Sequence, residues 1–254
     1  MKAIDRLIEI LSAERNEPVP VLSEESKHRY FRALVNVRMP SPASKELLRI
    51  QDEYLREELL RRGVTDIADL TPVAPEIYLW RGDITTLKCD GIVNAANSPL
   101  LGCFCPNHGC IDNAIHTFAG VQLRLECAKL MEAQGCEEPT GQAKLTGAYN
   151  LPCKYVLHTV GPIVYGELTE RHERELESCY RSCLELADAN GLQSIAFCCI
   201  SAGEFRFPNE RAAEIAIRTV AEYKRQTQSK IKVIFNVFKE CDYDVYARLL
   251  KADR

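Results

Sequence analysis

The sequence predicts an α/β protein, a mixed sheet covered on both faces by helices, preceded by an all-helical extension. Three observations lead there. From Ile77 onward short apolar strands alternate with amphipathic helical stretches, the pattern that lays helices on a largely parallel sheet. Residues 1 to about 70 carry only helical periodicity. With 254 residues and a hydrophobic fraction of 46%, the chain is large enough to bury the core such a sheet requires.

In chain order, Ile4, Leu7, Ile8 and Leu11 recur on one helix face. Ser23 is placed to cap a second helix, which must stop before Pro40 and Pro42. Ser44 opens a third helix that runs to Gly63, with Leu47, Leu48, Tyr54, Leu55 and Leu59 on one side and Arg61 and Arg62 near its negative end. TPVAPE at 71–76 reads as a linker, so the expected division is an extension at 1–70 and a sheet domain at 77–254. A three-helix piece of that size buries few large residues for itself, so the extension is expected to pack on the sheet domain and border the substrate entrance. The expected strands are IYLW, GIVNAA, YVLHTV, SIAFCCI and IKVIFNV, with helices at 113–133, 170–190, 209–226 and at the C-terminal end. Sheets of this kind bind ligands beyond the carboxyl ends of their strands. GDIT (82–85), NAANS (94–98) and SAGEFRF (201–207) each follow a strand, so they should gather on one rim.

Composition excludes some partners. A net charge of −4 provides no overall positive field for nucleic acid or an anionic membrane surface. No uncharged apolar run approaches the roughly 18 residues that a membrane span needs. The opening stretch MKAIDRLIEILSAERNE carries Asp5, Glu9 and Glu14, unlike a signal peptide. The expected compartment is a reducing cytoplasm, where most of the twelve cysteines serve as small buried hydrophobes, Cys198 and Cys199 among them.

Clustered cysteines need another explanation. Cys103, His108 and Cys110 are spaced C-x4-H-x-C in one loop, with Cys105 as a possible fourth thiolate. Thiolates and imidazole suit zinc; four protein ligands would close the site, and three would leave a position open. A reactive thiol pair or chance clustering is the competing reading. In GDIT, Asp83 can accept from an adenine amino group and Ile84 can offer its amide, or the stretch is a turn with an aspartate cap. Asn97 is positioned for a sugar hydroxyl, and Asn94 for fixing the loop backbone. Successive amides around Gly203, in a tight loop before a helix starting near Pro208, can cradle a diphosphate, with Phe205 against a ribose.

Taken together, GDIT, GIVNAANS, IDNAIHTFAG (111–120), TGQAKLTGAYNLPCKYVLHTVGP (140–162) and ISAGEFRFP (200–208), in that order, resemble the macrodomain family. Ordinary hydrolytic macrodomains carry a glycine-rich loop between NAAN and the aspartate. GCFCPNHGC stands there instead, which resembles the zinc-containing macrodomain subclass, as does the helical extension. The resemblance implies a three-layer α/β/α fold and a pocket for ADP-ribose: Asp83 on adenine, Ile84 with its amide near the diphosphate, Asn97 on the distal ribose, and Ser201, Ala202, Gly203, Glu204 and Phe205 around the diphosphate and distal sugar. The loop reads Ser-Ala-Gly where a hydroxyl residue is usual in the middle, which leaves Ala202 only its backbone amide. The resemblance also implies one zinc per chain on Cys103, His108 and Cys110 in the loop at 102–112, with Cys105 outside the triad. Asp112 falls where hydrolytic macrodomains place the aspartate that orients or deprotonates water; a helix N-cap is its other reading. His116 and His158 are expected to be packing residues. The implied activity is zinc-dependent removal of mono-ADP-ribose from modified protein side chains, with Asp112 and Asn97 catalytic, and with a lipoyl-carrier protein modified by a sirtuin-like transferase as a plausible substrate. An ADP-ribose reader that does not cleave, and a scaffold with closed structural zinc, are the alternatives.

Overall fold

The computed structural model describes residues 2–252, so the expected bounds at residues 1 and 254 lie outside it. Three helices come first: α1 (Ala3–Glu14), α2 (Glu24–Val37) and α3 (Lys45–Arg62). Their ends follow the expected cap chemistry. The Ser23 and Ser44 hydroxyls accept the amides of Ser26 and Leu47, and Gly63 ends α3 in a backbone with φ +82°. Helix does not continue to residue 70, however. Thr65–Asp66 form a short strand, β1, which pairs in parallel with β3 (Leu87–Lys88).

The three helices build a core of their own, contrary to the expectation that they bury little by themselves. Leu7, Ile8, Leu11, Phe31, Leu34, Leu47 and Leu55 are among its members, and Val121 joins them from the sheet domain. Fully burying a side chain of this kind contributes about 1.5–3 kcal/mol. The apolar stripes that set the helical periodicity therefore face one another.

The central sheet runs β2 (Ile77–Arg81), β8 (Lys232–Val237), β7 (Ser194–Phe197), β4 (Gly91–Ala96), β6 (Tyr155–Val160), β5 (Ala143–Gly147). All pairings are parallel except that of β5 with β6. Buried on both faces, β4, β6, β7 and β8 read as near-continuous apolar runs and were legible for that reason. The antiparallel edge strand β5 was not expected. Helices α6 (Glu170–Ala189), α7 (Asn209–Thr227) and α8 (Glu240–Ala252) pack in sequence from β5 and β6 across to β2 and β8, while α4 (Ile111–Ala119) and α5 (Val121–Gln134) lie against β4 and β5. This is the three-layer α/β/α arrangement expected.

The single helix expected at 113–133 is two helices. Gly120 breaks it at φ +98°, and a Cβ there would stand 2.5 Å from Gln51 Nε2. Gln51 fills that space because its Oε1 accepts the Val121 amide at 3.0 Å. The break is thus a docking point for α3. No helix among the described residues is long and apolar enough to cross a membrane.

Candidate active site

The loops after β2, β4 and β7 gather at the carboxyl rim of the parallel strands, as expected. In the first, Asp83 caps a 3₁₀ turn at Ile84–Thr86 by accepting the Thr85 amide at 2.9 Å. Its other oxygen accepts from Arg62 Nη1 of α3 at 3.0 Å, yet the side chain stays 37% exposed. The cap reading is therefore realised, and part of the carboxylate still faces outward. The Arg62 guanidinium lies 3.6 Å over the Phe118 ring. Sequence reasoning placed Arg62 only near a helix end, since nothing local connects it with Asp83. Ile84 is buried, which leaves only its backbone for a ligand.

Asn94, expected to fix the loop backbone, does not do so. Asn97 holds the loop backbone, donating to the Gly102 carbonyl at 3.0 Å, while its Oδ1 is buried and unpartnered. Asn94, fully buried in β4, donates to Asp112 Oδ1 at 2.8 Å and meets His158 Nδ1 at 3.2 Å. That second contact follows from register, for Asn94 and His158 are partners on adjacent parallel strands.

Asp112 is not a helix cap. Cys110 caps α4, its Sγ accepting the Asn113 amide at 3.4 Å. The Asp112 carboxylate points inward between Asn94 and His116 Nε2, the latter at 3.5 Å. Burial pushes its pKa up to about 6, opposed by the Asn94 hydrogen bond and the Arg124 charge.

The ligand atoms of Cys103, His108 and Cys110 converge within 4.8 Å, and Cys103 Sγ stands 3.6 Å from His108 Nδ1. Zinc bonds of about 2.3 Å to sulfur and 2.0–2.1 Å to nitrogen at a tetrahedral angle require about 3.6 Å between those atoms. The donor set fits zinc in geometry and in chemistry. Burial, with Cys103 alongside, pushes the Cys110 thiol up, so without a cation it stays protonated. Cys105 is exposed and outside the cluster. His108 Nε2 is turned to Glu204 Oε1 at 3.5 Å, the carboxylate partner that commonly orients a ligating imidazole.

The loop after β7 therefore borders the Cys103–Cys110 loop. Ala202 donates its amide to the Cys199 carbonyl at 3.3 Å, so that amide is committed within the loop. Ser201 is buried in a left-handed conformation, φ +61°, and its Oγ has no partner. Among the described residues the amides of Gly203, Glu204 and Phe205 have no acceptor within the protein, three successive donors of the kind that cradle an anion. Phe205 is half-exposed, and a Cβ added at Gly203 would meet no atom within 4 Å. Phe238, 76% exposed, directly follows β8, the strand that pairs with β2.

A second convergence of ligand atoms, His116, Cys127 and His158, is wholly buried. The His158 nitrogens meet Asn94 and Thr146 Oγ1, the latter at 2.9 Å, and burial lowers its pKa to about 4. His158 is a satisfied packing residue, as expected; His116 is buried too, but neither of its ring nitrogens has a hydrogen-bond partner. All twelve cysteines are free thiols; Cys198 is buried and Cys199 only half-buried.

Residues 93–216 match the Macro domain family. A protein-ADP-ribose hydrolase of Treponema medium is 58% identical over 231 residues, 89% of this chain and 88% of that protein. One of Staphylococcus aureus is 48% identical over 255 residues, 98% of this chain and 96% of its own length. A Trypanosoma brucei macrodomain solved in complex with ADP-ribose superposes with a TM-score of 0.66 at 34% identity, covering 91% of this chain and 97% of that one. With its mixed sheet, its rim of loops and relatives that align along nearly its whole length, the chain belongs to the macrodomain family.

Proposed function

We propose that this chain is a zinc-dependent hydrolase that removes mono-ADP-ribose from modified protein side chains, cleaving at the anomeric carbon of the distal ribose. One observation carries the reading: the Cys103, His108 and Cys110 cluster abuts the loop with three unpartnered amides, His108 meeting Glu204 at 3.5 Å. The relatives named protein-ADP-ribose hydrolase and the macrodomain solved with ADP-ribose support the substrate class.

Each group then has a task. Asp83 accepts from the adenine amino group with the exposed part of its carboxylate, the Ile84 amide lies near the diphosphate, and Phe238 offers an aromatic face. The amides of Gly203, Glu204 and Phe205 hold the diphosphate, and Ser201 and Ala202 shape that loop from behind. The Glu204 side chain orients His108, and the Phe205 ring lies against the ribose. Asn97 Oδ1, a buried acceptor without a partner, accepts from a distal ribose hydroxyl. Cys103, His108 and Cys110 would hold one zinc ion, which would supply Lewis acidity at the distal ribose when bound. Asp112, fixed by Asn94, orients the attacking water and takes its proton. A lipoyl-carrier protein modified by a sirtuin-like transferase in the cytoplasm is the substrate that the zinc subclass suggests.

The test is single-turnover cleavage of a carrier protein bearing one ADP-ribose, with the protein as purified, after chelation and after zinc is restored. Turnover should disappear with chelation and return with zinc. Turnover indifferent to chelation would overturn the zinc role, and ADP-ribose binding without any cleavage would make the chain a reader.

A further inference from the structure

The metal loop has no regular structure between Leu101 and Cys110, so its backbone groups must find partners elsewhere. They find side chains. Arg124 Nε donates to the Leu101 carbonyl at 2.6 Å and Asn97 to that of Gly102. Asn113 Nδ2 reaches the carbonyls of Cys105 at 3.0 Å and Cys103 at 3.5 Å. Within the loop the His108 amide donates to the Cys105 carbonyl at 3.2 Å, and further contacts come from α2, more than seventy residues away in sequence. Arg32 Nη2 donates to the His108 carbonyl at 3.0 Å, and Asn36 Oδ1 accepts the Asn107 amide at 2.9 Å. Arg32 also clamps Asn113 itself, with Nε and Nη2 on its Oδ1 at 3.0 and 2.7 Å. Asn36 completes the link through Thr117, donating to its Oγ1 at 3.0 Å, while Thr117 Oγ1 donates to the Asn113 carbonyl at 2.7 Å.

Resting on the zinc reading above, we infer that the helical extension is part of the metal centre: Arg32 and Asn36 of α2 are positioning residues that hold the Cys103–Cys110 loop in its metal-binding shape. The two lie four residues apart, on one stripe of α2. The neighbouring stripe, Phe31, Leu34 and Val35, is buried in the extension's own core, so the donors are anchored by packing. Asn36 and Asn113 are completely buried, where an unpaired amide would be costly, and this arrangement satisfies both. The role of Arg32 depends on its planar fork, which spans Asn113 Oδ1 and the His108 carbonyl together; a lysine carries the charge without the fork.

The test is zinc affinity of the full chain by competition with a chromophoric chelator, for wild type, Arg32→Ala, Arg32→Lys, Asn36→Ala and Arg6→Ala. Partners that orient metal ligands typically contribute 10- to 100-fold in affinity. Arg32→Ala, Arg32→Lys and Asn36→Ala should each weaken zinc by about that factor, and with cobalt(II) in place of zinc their ligand-field bands should shift. Arg6→Ala, whose contacts are Glu9 and Glu46, should bind zinc as wild type does. Melting curves check the fold, and if Asn36→Ala is unfolded, half-buried Arg32 with its lysine variant carries the test. Wild-type affinity and spectra in Arg32→Lys would overturn the positioning role while leaving the zinc reading intact. A wild-type protein without zinc affinity would overturn both.

Discussion

Gly161 offers a way to move the loop proposed to hold the diphosphate without touching any residue proposed to face the ligand. It directly follows β6 and lies behind the loop, where an added Cβ would stand 2.1 Å from Ser201 Oγ and 2.9 Å from Ile200 Cγ2. Ordinary contact begins at 3.4 Å, so Gly161→Ala must move Ser201 Oγ by about 1.3 Å, by rotating its unpartnered hydroxyl or by shifting the residue, and Ile200 Cγ2 by about 0.5 Å. The Ser201 backbone has little freedom, since it is buried at φ +61° and its carbonyl accepts the Phe207 amide at 3.0 Å. The part of the displacement that side-chain rotation does not absorb passes to Gly203, Glu204 and Phe205. An amide moved by about 1 Å from a 2.9 Å hydrogen bond no longer makes one. Each such bond to a charged group contributes about 1.5–3 kcal/mol, so losing one weakens ADP-ribose about ten- to hundred-fold. Isothermal titration calorimetry measures this, and circular dichroism checks the fold, with about 1–3 kcal/mol of overpacking expected. Gly203→Glu approaches from the opposite side: its Cβ meets no protein atom, so the fold should be untouched while bulk and negative charge obstruct the amides. Wild-type ADP-ribose affinity in both folded variants would refute the assignment of this loop to the diphosphate.

Elemental analysis of freshly purified protein should find about one zinc per chain, and Cys103→Ala or Cys110→Ala should lose both zinc and turnover; wild-type protein without zinc would remove the metal from the mechanism. Asp112→Asn should keep α4, because Cys110 is the cap, and keep zinc and most ADP-ribose affinity while losing on the order of 10²–10⁴ in single-turnover rate; a wild-type rate would exclude Asp112 from the chemistry. His158 gives an acid-stability prediction, because its folded pKa of about 4 lies below the ordinary 6.5. The unfolded chain binds the proton more readily, so the stability contributed is complete above pH 6.5 and is lost as pH falls toward 4, about 3 kcal/mol in total. Urea midpoints between pH 7 and pH 4 should fall less steeply in His158→Gln than in wild type, and equal slopes would contradict the assignment.

The parts legible in the sequence were those set by local chemistry. Ser23, Ser44 and Gly63 end helices by bonding within a few residues, and β4 and β6 announce themselves because both faces are buried. What was missed depends on distant partners. AKLTG is an edge strand with mostly half-buried residues, so no apolar run marks it, and only its pairing with β6 defines it. The break at Gly120 exists because Gln51, on another element, occupies the space a side chain would take. Asn94 and Asn97 sit three residues apart in one motif, and residue type alone does not say which faces Asp112. Cysteine is seldom a helix cap, so an aspartate two residues later drew that reading, yet the helix begins at Ile111 and turns Asp112 inward.

Helix α4 shows how these separate contacts become one device. At 100° per residue, positions 112 and 116 share one face and 113 and 117 share the next. Asp112 takes the Asn94 hydrogen bond from β4, with His116 beside it, and a Cβ at Gly102 would stand 2.8 Å from the His116 ring. On the other face Asn113 and Thr117 take the clamp from α2. The sheet and the extension therefore grip adjacent sides of the same nine-residue helix, whose cap, Cys110, is itself one of the three clustered ligands. Nine residues are too few for a helix to be stable alone, so its position is set by what holds it. A shift of α2 would reach Asn113 first, and through the rigid turn that joins them it would move both Cys110 and Asp112. Cys110 and Asp112 keep their places relative to the sheet's loops only while both grips hold, which explains why a site built on loops of the sheet involves side chains from helices that precede the sheet entirely.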